Sequence, residues 1–107
     1  MEPTNFTQNP TEGTYILCKI ERVYKRTNTI MVSYGEKNED GSSSFKQTPI
    51  FLSEEQINAI QGFLGKDDSE TIKGSNIYCY FNGDTVIQLM NLQKRTFREY
   101  LSGQMPT

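Results

Sequence analysis

An all-β domain carrying one short helix is the fold class this sequence predicts, and three observations predict it. Apolar and polar residues alternate in several short runs, most clearly from Lys73 to Leu92, and a period of two marks a strand with one buried face. Asn82-Gly83 interrupts that run; both residues tolerate positive φ, so the dipeptide signals a hairpin turn. Ser53, with Gln56 three residues on and then Ile57, Ile60 and Leu64, gives the one firm helical signature, a capping box followed by an apolar stripe.

Taken in order, residues 1–13 hold Pro3, Pro10 and an isolated Phe6 without periodicity, and read as a flexible N-terminal arm. From Thr14 to Arg26, Ile16, Cys18 and Ile20 alternate with Lys19 and Glu21. That is a long first strand, of a length that usually bends and serves two parts of a barrel. Thr27-Asn28 turns the chain into a second strand with Ile30, Val32 and Tyr34 on one face. Gly35 to Ser44 is polar and serine-rich and reads as a mobile hairpin loop. A third strand begins near Phe45, where Pro49 lacks a ladder donor and suggests an edge or a bulge. The helix follows, stopped by Gly62 or Gly65. Asp67 to Lys73 then returns the chain to strands four and five on either side of Asn82-Gly83. Residues 14–92 form the domain, and residues 93–107, where Phe97 and Leu101 stand at helical spacing, form a C-terminal tail or short helix.

Strand, strand, strand, helix, strand, strand is the order of the OB-fold, a five-stranded Greek-key barrel with its helix between strands three and four. A small SH3-like barrel with an inserted helix is the alternative.

Composition narrows the function classes. The 107 residues carry a net charge of −2 and no histidine or tryptophan, so the commonest acid–base side chain near neutral pH is missing. Cys18 and Cys79 each fall inside a strand pattern and read as buried thiols, not as metal ligands or a redox pair. Asp67, Asp68 and Glu70 lie in a solvent-type loop with no further ligand at a metal-binding spacing. There is no glycine-rich phosphate loop and no nucleophile elbow. No enzyme activity and no cofactor are expected. The N-terminus lacks a secretory signal pattern and no apolar run is long enough to span a bilayer, so a soluble cytoplasmic protein is expected.

The net charge hides a segregation. Lys19, Arg22, Lys25 and Arg26 stand together, as do Lys94, Arg95 and Arg98, while acids gather at Glu36, Glu39, Asp40, Glu54 and Glu55. Aromatics lie beside the cations: Tyr24 adjoins Arg22, Lys25 and Arg26, Tyr34 ends strand two, and Phe45 adjoins Lys46. Rings that stack on bases and cations that follow phosphates are what a sequence-tolerant single-strand binder needs. Edge strands also use cations against aggregation, and Tyr34 and Phe45 compete for places in the core. Tyr78 and Tyr80 should point outward from strand four, where they either stack on bases, cover an interface between copies, or pack beneath the terminal segments.

From Thr14 to Leu92 the chain resembles the small OB-fold single-stranded DNA-binding proteins of phages and other mobile elements. The element order, Lys73-Gly74 ahead of strand four, and the aromatic and basic residues of the strands carry the likeness. The resemblance implies binding of single-stranded DNA, with RNA as a second candidate, in DNA replication, recombination or transfer. It also implies work in a bacterial host cell, beside replication or recombination proteins, and a homodimer. The expected binding residues are Arg22, Tyr24, Lys25, Arg26, Tyr34, Phe45, Lys46, Lys73, Tyr78 and Tyr80. The competing expectation is a protein-interaction module, an assembly factor or small inhibitor, using the same barrel without nucleic acid.

Overall fold

A computed structural model of the chain describes residues 14–66 and 72–104. The N-terminal arm and the loop acids Asp67, Asp68 and Glu70 lie outside the described residues. Five strands, β1 (Tyr15–Tyr24), β2 (Thr29–Lys37), β3 (Ser43–Phe51), β4 (Asn76–Asn82) and β5 (Thr85–Met90), form one sheet with two helices, α1 (Glu54–Phe63) and α2 (Phe97–Gln104). The sheet order is β3-β2-β1-β4-β5, with every pair antiparallel. No described helix is long and apolar enough to cross a membrane.

The first strand is shared. Its early half, Tyr15 to Lys19, pairs with β4, and its later half, Lys19 to Tyr24, pairs with β2. Within the later half the register shifts at Glu21, which has no partner on β2. Such a bulge adds one residue and bends the strand. The edge strands β3 and β5 approach where the Thr48 hydroxyl donates to the Asp84 carbonyl at 3.4 Å, without a ladder between them.

Alternation places Cys18, Ile20, Ile30, Val32, Ile50, Ile77, Cys79, Val86 and Leu89 on one buried face. Helix α1 closes that face with Ile57, Ile60 and Phe63. The Ser53 hydroxyl accepts from the Gln56 amide, and the Gln56 side chain accepts from the Ser53 amide, so the capping box forms as the sequence predicts. Gly65, at φ 70°, ends the helix where a left-handed residue is needed.

Two local features differ from the sequence reading. The β2–β3 hairpin runs on to Lys37↔Ser43, so half of polar Gly35 to Ser44 is strand and only residues 38–42 turn; the Asn38 amide donates to the Ser42 carbonyl at 2.7 Å. In the second hairpin Asn82 pairs with Thr85. The turn is therefore centred on Gly83 and Asp84, and Gly83 alone supplies the positive φ of 64°. After Leu92 the chain forms α2, its first turn closed by Thr96 and Glu99, each accepting from the other's backbone amide. Hydrogen bonds from Thr96 hold the Glu99 carboxyl below its ordinary value. Phe97, fully buried, stacks on Phe63 at 4.9 Å and ties α2 to α1.

Candidate nucleic-acid interface

Cross-strand partners share a face, so the register sorts the outward side chains of β1, β2 and β3 into rows. Tyr24, Thr29 and Phe51 make one row; Arg22, Met31 and Pro49 the next; Lys19, Ser33 and Gln47 the third. Beyond them come Gly35 with Phe45, then Lys37 with Ser43. Strict alternation from inward Ile20 would turn Arg22 and Tyr24 into the core. The extra residue at Glu21 resets the phase, and both side chains come out beside Lys19.

The resulting face is basic. Lys19, Arg22 and Lys37 are exposed on it, and Lys25 and Arg26 extend it through the 3-10 turn after β1. None of these five cations forms an ion pair with a described residue. Glu21 accepts a hydrogen bond from the Ser33 hydroxyl at 2.7 Å, and Glu54 of α1 shares a cleft with Lys25 and Arg26. Two rings stand out from the face, Tyr24 at 43% exposure and Phe45 at 69%. Their rows are six residue steps apart along β2, about 20 Å at strand rise.

The structure thus brings Arg22, Tyr24 and Phe45 to one face, sets Lys25 and Arg26 in the turn after β1 beside Glu54 of α1, and places the other expected residues elsewhere. Tyr34 and Lys46 are cross-strand partners on the opposite side. Tyr34 packs on Phe81 at 4.9 Å at the end of the core, and burial pushes its phenol above the ordinary value. Lys46 pairs with Glu36 at 2.6 Å, which neutralises it locally. Lys73 is exposed in the turn where the Gly74 amide donates to the Ile20 carbonyl. Tyr78 and Tyr80 lie on the outward side of β4, over the other half of the sheet. The ammonium of Lys94 sits 4.1 Å from the Tyr78 ring centre, and Tyr15 meets Tyr80 edge-on at 5.4 Å. The C-terminal segment covers part of that half: buried Gln88, the partner of Tyr80, accepts from the Arg98 amide of α2, while Leu17, the partner of Tyr78, stays 50% exposed.

Lys19, Lys37 and Gln47 belong to the open face although the sequence reading did not place them in the site. The signal was parity along β2 and β3, since residues 33, 35 and 37 share a side once the hairpin is long enough to include Lys37.

Cys18 and Cys79 are free and buried on the inner face. Hydrogen bonding with Cys18, then burial, pushes the Cys79 thiol well above its ordinary value, which disfavours the reactive thiolate. Comparison with protein-family models, curated proteins and solved structures finds no match for this chain.

Proposed function

We propose that this protein binds single-stranded DNA with little regard for sequence, in DNA replication, recombination or transfer, and that its sheet is of the OB type. The strand order, the bent β1 serving both β2 and β4, and α1 between β3 and β4 support the fold assignment. One observation carries the function. The outward face of β1–β2–β3 holds Lys19, Arg22 and Lys37, none ion-paired among the described residues, and two protruding rings, with Glu21 engaged by Ser33. Unpaired cations release counterions on meeting phosphates, and exposed rings stack on any base. Both interactions ignore sequence.

Fluorescence anisotropy with a labelled oligo-dT tests the reading. Binding should weaken with salt, with a log–log slope of about −0.7 for each phosphate neutralised on a single strand. Arg22→Ala with Arg26→Ala should flatten the slope by about 1.4. Phe45→Ala should cost about 1–3 kcal/mol, the worth of one stacked base, with the slope unchanged. Absence of binding at low salt, or binding indifferent to salt, would sink the proposal and leave a protein-interaction module as the better reading. An oligo-U competitor in the same titration ranks RNA against DNA.

A further inference from the structure

The third row of the open face does not stop at β1. Lys19 pairs with Ser33 on one side and with Asn76 on the other, so Gln47, Ser33, Lys19 and Asn76 form a polar line across β3, β2, β1 and β4. At its end the sheet meets a cleft walled by Asn76, Gln93, Leu64, Leu92 and Lys66. This cleft holds none of the residues expected to bind and lies outside the three-stranded face.

Its chemistry fits a nucleobase. The side-chain amides of Asn76 and Gln93 have no hydrogen-bond partner among the described residues, and an amide offers a donor and an acceptor side by side, as base edges require. Leu92 is 53% exposed, and with Leu64 it supplies an apolar wall for a ring face. Lys66 brings a cation for a flanking phosphate. The cleft measures about 240 Å³, below the roughly 300–1,000 Å³ of pockets for drug-sized ligands.

The wall is also fixed in place. Asn91 donates to the Phe63 carbonyl at 3.0 Å, and its side-chain oxygen accepts from the Gln93 and Arg95 amides. The loop carrying Leu92 and Gln93 is therefore held before any ligand arrives, which lowers the ordering cost of binding. A second cleft, beside Lys25 and Arg26, is faced by Glu54, whose charge opposes a phosphate.

We infer that the cleft beside Asn76 receives one unstacked base of the bound strand, so that the strand crosses the sheet along the Gln47–Ser33–Lys19–Asn76 line and ends there. The inference rests on the single-strand reading above and adds to it a defined base subsite.

Photocrosslinking of the full chain to oligo-dT carrying 4-thiothymidine at each position in turn, read by peptide mass spectrometry, tests it beside anisotropy on variants. Crosslinks from one position should fall on Asn76 or on Leu92–Gln93. Asn76→Ala with Gln93→Ala, both exposed and so compatible with folding, should weaken binding about fivefold with the salt slope unchanged, because no phosphate contact is lost. Crosslinks confined to Tyr24 and Phe45, with the double variant binding like wild type while Arg22→Ala still weakens binding, would overturn the base subsite and leave the single-strand reading standing. Failure of the wild-type protein to bind at low salt would overturn both.

Discussion

Asn91 is a buried polar side chain on which the join between two helices depends. It is 7% exposed, and its one amide joins the end of α1 to two amides of the loop that leads into α2. Losing it strands a carbonyl and two N–H groups near the interior, and each unsatisfied buried group costs about 1–3 kcal/mol. Asn91→Ala should lower stability by about 2–4 kcal/mol in urea unfolding, whereas Asn91→Asp, which keeps the acceptor for Gln93 and Arg95, should lose less. A result within error of wild type would mean that water replaces all three contacts. Nothing in the sequence announced this role, because a lone Asn after a strand reads as ordinary turn chemistry. Ser53 and Gln56, by contrast, were legible, since their partners lie three residues apart and need no tertiary context.

At the scale of elements, the bulge in β1 decides which residues the protein presents. The inward positions Cys18 and Ile20 follow from alternation alone. Beyond Ile20 the letters Glu21-Arg22-Val23-Tyr24 fit either phase, and only pairing with β2 shows that Glu21 is the extra residue. Residues adjacent in sequence also face opposite ways in a strand, so Phe45 and Lys46, neighbours in the chain, cannot serve one surface. Deleting Glu21 leaves Ile20 inward, Arg22 outward and Val23 inward, so the variant should fold, losing mainly the hydrogen bond from Ser33, about 1 kcal/mol. That corresponds to a fall in Tm of about 4–8 °C for a domain of this size. Deleting Val23 instead turns Tyr24 into the core and should abolish the cooperative transition. Equal thermal melts for the two deletions would show that the phase along β1 is not set by the bulge.

Across the whole molecule the sheet divides at β1 into an open half, β1–β2–β3, and a half partly covered by the C-terminal segment. The strand count, the strand order in sequence and the place of α1 were readable, because each rests on local periodicity and local punctuation. The division was not, since it depends on α2 folding back over β5 and on Lys94 reaching Tyr78. The shared first strand also sets a timetable for folding. Gly35 and Phe45 pair across a short loop, whereas Tyr15 must find Tyr80, 65 residues away, at a closure cost about 1.7 kcal/mol greater by loop length alone. The early half of β1 then waits as a bare edge, with Ile16 and Cys18 in the open, while its later half is already engaged. Pulse-labelling hydrogen exchange during refolding should find β2 and β3 amides protected before those of β4; simultaneous protection would mean that the long closure is made in the first step. The surface proposed to meet DNA would then be assembled before the molecule is complete, by a meander that needs no residue beyond Phe51.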